Sequence, residues 1–300
     1  MSAPADGQRL LIVIALVIGL AGGFAATLLL GGTAGDPAPA AAAAVVDPTR
    51  DGDPEADVQL PAPDPVADPA AARDPEAALR GFLAAEAAGA WETSYGYLTD
   101  RLRDTVYTSA AAWVRAHADF PQVTAYRVDE VTTDAAAGRA NARTLTGFQA
   151  TIDPVLGLVA ARGRTDWTLQ RDAAGLWRVD TDQTRSQPLY PSADGAARTA
   201  RAWVDARVGC QDTGDLEAGL VGTRALADRL CAEDQDGRVT ITEVIALTDM
   251  AETATLLSEF GPEVFSWART VTVAATSPFT LVLGPVGEEW RVVAVLNQSP

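Results

Sequence analysis

An internal repeat constrains this chain more than any other feature of its sequence. Val123-Thr124 and Val128 recur as Val239-Thr240 and Val244, each 116 positions on (239 − 123 and 244 − 128). Trp167-Thr168-Leu169 recurs as Phe279-Thr280-Leu281, 112 on (279 − 167). The run from Gly175 to Val179 recurs from Gly287 to Val292 with its tryptophans 113 apart (290 − 177), and Phe82-Leu83 as Trp203-Val204, 121 apart (203 − 82). A near-constant offset that holds through apolar, turn and aromatic positions alike is what a duplication leaves behind. Two units built on one plan are therefore expected, over residues 74–191 and 192–300.

Each unit reads as helices followed by strands. Ala77, Leu79, Phe82 and Leu83 fall at helical spacing behind Asp74 as N-cap and Pro75 at the first helical position. Tyr97 to Val114 reads as further short helices, and Val123–Asp134, Arg139–Ile152, Leu158–Arg171 and Leu176–Thr181 as strands separated by turn residues. In the second half Ala197–Val208, Leu216–Val221 and Arg224–Cys231 read as helices. Arg238–Asp249, Glu252–Phe260, Val264–Ala275, Phe279–Leu283 and Trp290–Leu296 read as strands.

Helices first, then long strands ending in a Trp-Arg-Val run, resembles the nuclear-transport-factor-2-like family. That resemblance implies an α+β class with two tandem cone-shaped domains, short helices packed on a curved antiparallel sheet. Within residues 74–191, Arg164, Trp177-Arg178-Val179-Asp180 and Leu189-Tyr190-Pro191 also resemble the N-terminal non-catalytic domain of MecA-type penicillin-binding proteins. The transpeptidase domain and serine motifs of those proteins have no counterpart here, so the resemblance implies a cell-envelope setting and no activity. A membrane helix followed by two such domains is similar to the TcpC-like scaffolds of conjugation and secretion channels, which is the alternative reading.

The rest of the chain supports the same setting. Leu10 to Leu30 carries no charge, and 21 helical residues span about 30 Å, the thickness of a bilayer core. Arg9 precedes it and the next basic residue is Arg50, which places residues 1–9 in the cytoplasm and the remainder outside. Gly19 and Gly23 would allow close approach of two such helices, the spacing through which a homo-oligomer would form. Residues 31–73 are mostly Ala, Pro, Asp and Gly with five Asp-Pro pairs and almost no large apolar residue, too poor in apolar surface to fold and long enough for a disordered stalk on the order of 100 Å. The formal charge of −17, with no basic run, repels phosphate and excludes nucleic acid as a partner.

Few residues suggest chemistry. The acidic stretch from Asp234 to Glu243 resembles a calcium loop, but Ala232 stands where the first ligand belongs and the repeat maps residues 239–249 to a strand, so no metal or other cofactor is expected. Cys210 and Cys231 are the only cysteines, and outside the cytoplasm an even pair favours a disulfide. His117, the sole histidine, has no nucleophile at a recognisable spacing and reads as structural. Glu243 alternates with Val239, Ile241, Ile245 and Leu247, which puts a single carboxylate on an apolar strand face. It is the one candidate ligand contact, with Arg127 at the matching position of the first unit. The sequence thus reads as a single-pass, extracytoplasmic, non-catalytic binding or scaffold protein whose partners are other envelope proteins. An isomerase-like pocket at Glu243 is the lesser alternative.

Overall fold

The computed structural model describes residues 52–297 apart from 118–120, 154–156, 223, 234–238, 243, 248–252, 262 and 288. The expected membrane helix, the stalk up to residue 51, the core of the calcium-like loop and Glu243 lie outside the described residues. Among the described residues no helix is long and apolar enough to cross a membrane. The fold is mixed α+β, with short helices on largely antiparallel sheets. It divides into two compact units: residues 58–149 with 162–189, and residues 52–57 and 150–161 with 190–300.

The first unit opens with α1 (Pro75–Ala87), capped as its sequence predicts by the Asp74 carboxylate, which accepts a hydrogen bond from the Ala77 amide. Three short helices follow, α2 (Trp91–Tyr95), α3 (Asp100–Thr105) and α4 (Ala110–His117). Strands β1 (Val123–Asp134), β2 (Arg139–Phe148), β5 (Arg162–Arg171) and β6 (Trp177–Leu189) then form an antiparallel sheet in that order. Its core joins Leu79, Phe82 and Leu83 of α1 to Tyr126, Ala142, Trp167, Leu169 and Val179. Period-two alternation along β2 and β5 buries one face against the helices, as expected of a half-covered strand.

The stalk ends earlier than the sequence suggests. The Tyr126 hydroxyl donates to the Asp64 carboxylate, Tyr97 donates to the Ala67 carbonyl, Arg178 to the Pro69 carbonyl, and the Trp177 amide to the Ala72 carbonyl. Residues 60–73 are thus a strap on the first unit rather than free spacer. Low apolar content misleads here because backbone carbonyls, which every residue carries, make most of the contacts.

In the second unit a hairpin, β3 (Thr151–Asp153) and β4 (Gly157–Val159), is followed after residue 190 by α5 (Asp194–Val208), β7 (Glu217–Gly222), α6 (Arg224–Glu233), β8 (Thr240–Ile241) and β9 (Ile245–Ala246). Then come α7 (Thr253–Phe260), α8 (Val264–Trp267), β10 (Arg269–Ala274), β11 (Phe279–Val286) and β12 (Glu289–Asn297). The sheet runs β7-β12-β11-β10-β8, with β9 also on β10 and β7 parallel to β12. Both sheet faces are covered. One packs on α5 through Trp203, Val271, Leu281, Trp290 and Val292; the other packs on α7, α8 and the hairpin through Leu158, Leu256, Phe260, Trp267, Val282 and Val293. That explains the unbroken apolar run at Val292–Leu296, which a strand buried on both faces requires.

Four expectations fail in this unit. Leu216–Val221, read as a helix, is a 3₁₀ turn followed by β7. Gly219 and Gly222 have φ of +52° and +95°, outside helical space, and a Cβ on Gly222 would lie 2.1 Å from the Val295 carbonyl oxygen. Glu252–Phe260, read as a strand, is α7, whose buried residues Thr253, Leu256 and Phe260 follow helical spacing. Val264–Ala275 begins as α8 before becoming β10, and the strand expected over Arg238–Asp249 shrinks to the two-residue strands β8 and β9.

Candidate functional site

The repeat becomes physical at the helix–sheet interface. Phe82 of α1 meets Trp167 of β5 edge-on, centroids 5.7 Å apart at 67°. Trp203 of α5 meets Phe279 of β11 edge-on, 6.3 Å apart at 70°. These are the residues that the repeat aligns in pairs, Phe82 with Trp203 and Trp167 with Phe279. Each unit therefore closes its sheet on its first long helix through one aromatic contact of the same geometry.

Beyond Trp167 the first unit turns polar. Thr144, Thr165 and Ser186 stand opposite one another on β2, β5 and β6, and all three are buried. Thr165 and Ser186 share a hydrogen bond of 2.8 Å, Thr144 bonds Thr146 at 2.9 Å, and the Trp167 indole donates to Thr144. The hydroxyls answer one another, and no acid or base contacts them in these bonds. Such a row can fix side chains or orient a hydrogen-bonding ligand. It offers no activated nucleophile.

On the other face of β6, Asp180 is fully buried and accepts from Arg101 of α3 at 2.8 Å and from Gln170 at 3.1 Å. Arg101 also reaches Asp182 at 2.9 Å. Tyr107 is pushed above the usual phenol range by burial and by the charge of Asp182. Tyr126 is pushed up to about 12 by burial and by its bond to Asp64. Both shifts favour the protonated phenol, and Tyr126 uses its proton as a donor to Asp64.

The second unit carries a tighter knot. Glu217 accepts from the Trp203 indole at 2.9 Å, from Arg207 and from Thr213, while Arg207 also lies over the Trp203 ring at 5.3 Å. Burial alone would raise the Glu217 carboxyl, but the bonds from Thr213, Arg207 and Trp203 and the charge of Arg207 outweigh it and hold it down at about 2. Beside the knot, Cys210 and Cys231 form the expected disulfide, which joins the end of α5 to α6. Elsewhere in the unit Glu263 is raised by burial, and the buried Tyr190 hydroxyl, which has no hydrogen-bond partner among the described residues, is raised by burial and by Glu263.

Of the residues singled out by sequence, the cysteines meet, and Glu243 lies outside the described residues. The described residues of the strand that was to carry it form the short strands β8 and β9, with Ile245 exposed and Leu247 buried. Arg127 pairs with Asp129 at the surface of β1. Among the described residues no cluster of metal-ligating side chains occurs. His117 is buried and bonds Glu86 at 3.0 Å, a pairing that sequence reasoning missed. Half of it was legible: Leu79, Phe82, Leu83 and Glu86 follow i, i+3, i+4, i+7 spacing, which puts a carboxylate on the buried stripe of α1 without naming its partner.

No family model and no curated protein matches the sequence. Among solved structures, a SEC-C motif protein from Rhodopseudomonas palustris matches with 16% identity over 39% of this chain and 80% of its own, at a TM-score of 0.29. An "Ntf2 like protein involved in plasmid conjugation" matches with 9% identity over 70% of this chain and 92% of its own, at a TM-score of 0.18. Both are distant likenesses.

Proposed function

We propose that this chain is a membrane-anchored, extracytoplasmic, non-catalytic binding or scaffold protein of the bacterial cell envelope. On this reading its two units are diverged copies of one nuclear-transport-factor-2-like domain. The observation that carries the reading is how the helix-facing sheet surfaces are used. In folds of this plan a small-ligand site would have to open on that surface. Here it is occupied by the chain's own side chains, Phe82 and Trp167 in one unit, Trp203 and Phe279 in the other, and by hydroxyls already bonded to one another. A domain whose interior is filled recognises partners with its outer surface. The Cys210–Cys231 disulfide supports a compartment outside the reducing cytoplasm. The uncharged Leu10–Leu30 segment supplies the anchor.

The test is photo-crosslinking of the intact protein in membranes, with protease accessibility scored in parallel and a variant lacking residues 74–300 as control. Digestion of the domains only from the outer face, together with partners crosslinked by the full chain and not by the truncated one, supports the proposal. Domains protected from outside protease refute the location. A chain that crosslinks to nothing, or that turns over a small molecule, refutes the scaffold role.

A further inference from the structure

Cys210 stands where a helix ending asks for glycine. The Cys210 amide donates to the Arg207 carbonyl at 3.1 Å and the Gln211 amide to the Ala206 carbonyl at 2.7 Å, the paired bonds that close a helix on a left-handed residue. The left-handed residue here is Cys210, with φ of +53°. Among the described residues it is the only one besides glycine with a positive φ. A Cβ in that conformation crowds the backbone, so the position carries a strain that glycine would remove. Strained backbone gathers at sites of function, and here the strained residue carries one half of the disulfide.

The two cysteines are not equally open. Cys210 is exposed and Cys231 half-buried. They sit at the C-terminal ends of α5 and α6, whose dipoles resist a thiolate at either sulfur and so do not choose between them. Access does choose, and it favours attack at Cys210. The reduced pair also has a place in the fold. Arg207 of α5 pairs with Asp228 of α6 at 3.3 Å, and Leu230 of α6 is buried in the cluster that holds Trp203 and Val204 of α5. These contacts hold the two helices together without the bridge. The Cα atoms of the cysteines, 4.9 Å apart, therefore stay within bonding reach, and a reduced Cys210 thiol has the Cys231 carbonyl oxygen 3.4 Å away as an acceptor.

We propose that Cys210–Cys231 is an exchange site, a bond that a dithiol opens and re-forms while the second unit stays folded. A thiolate of the dithiol attacks Cys210 Sγ in line with the bond. A new S–S bond forms to Cys210, and Cys231 leaves with the electron pair and takes up a proton. The dithiol's second thiolate then attacks the sulfur bound to Cys210 and closes the dithiol's own disulfide, while Cys210 leaves and takes up a proton. The protein gains two electrons and two protons, and the dithiol loses them. Exposed or strained disulfides are the ones that exchange in this way. The inference is independent of the scaffold reading, and it makes the closure of the loop around β7 and Glu217 reversible.

Dithiothreitol tests this on the intact oxidised chain, with protein thiols counted by alkylation and mass spectrometry. The rate of opening should rise in proportion to dithiothreitol and stay constant in urea below the second-unit transition, because the folded state itself reacts. Glutathione in place of the dithiol should leave its mixed disulfide on Cys210. Two variants without the bridge isolate the backbone. Cys210→Gly/Cys231→Ser should have a folding equilibrium several-fold more favourable than Cys210→Ala/Cys231→Ser, since glycine takes the left-handed position freely. The proposal is overturned if opening accelerates steeply with urea or reaches a ceiling at high dithiothreitol, either of which marks reaction through the unfolded chain. It is also overturned if glutathione is found on Cys231, or if the two variants are equally stable. Should a variant fail to fold, the wild-type kinetics and the site of the glutathione adduct decide.

Discussion

Removing the disulfide tests both the architecture of the second unit and the compartment assigned to the chain. Cys210 and Cys231 are 21 positions apart. In the chain-entropy argument, closing a loop of that length costs the unfolded chain about 11 cal/mol/K, or about 3 kcal/mol at 25 °C. The loop encloses β7 and Glu217, so the bridge holds the knot on Trp203 beside the sheet edge. At a urea slope of about 1–2 kcal/mol/M for a unit of this size, the midpoint should fall by roughly 1.5–3 M on reduction or in Cys210→Ser/Cys231→Ser. Fluorotryptophan NMR separates the units, since Trp203, Trp267 and Trp290 report the second and Trp91, Trp113, Trp167 and Trp177 the first. The second-unit signals should shift to lower urea while the first-unit signals stay. Second-unit signals that move by less than about 0.5 M would refute the reasoning, because the loop would then already be ordered without the bridge.

Other outcomes follow from the same contacts. Phe82→Ala and Trp203→Ala should each cost about 3–5 kcal/mol, Phe82→Ala in the first-unit transition and Trp203→Ala in the second, as read by urea unfolding. Asp74→Ala removes the cap of α1 and should cost about 1 kcal/mol, measured in the first-unit transition. Glu217 is held down at about 2, so its stabilising effect is fully present above the value of an unfolded carboxyl, about 4.3, and is lost as pH falls toward about 2. Glu217→Gln should therefore flatten the acid limb of second-unit stability between those pH values.

What could be read from sequence depended on whether the signal was local. The Asp74-Pro75 cap and β1 at Val123–Asp134 fall where their residues place them, because a cap and a strand-forming run bounded by turn residues act over a few positions. The repeat offsets were also informative, since aligned aromatics met partners of the same kind in both units. Between 216 and 267 the expected elements differ from the fold: Leu216–Val221 leads into a strand, and the runs read as strands over 252–260 and 264–267 are α7 and α8. Tertiary packing decides there: Leu256, Phe260 and Trp267 cover a second sheet face, a need that a half-covered template does not have. The Glu86–His117 pair brings together residues 31 positions apart on different helices (117 − 86), and no spacing rule links them.

The two units differ sharply at one aligned position. Asp180 of β6 corresponds to Val293 of β12, at the same offset of 113 as Trp177 and Trp290 of those strands (293 − 180). Both side chains are buried on the face turned away from the first long helix of their unit. Asp180 is held there by Arg101 and Gln170; Val293 is packed among Leu256, Phe260 and Trp267. A carboxylate at 293 would have no donor in that cluster and would cost several kcal/mol, while a valine at 180 would leave Arg101 with Asp182 alone. Neither residue can be exchanged for the other without the element that covers it. The two units thus differ in what they lay over the aligned strand face, a charged helix in the first and an apolar helix pair in the second.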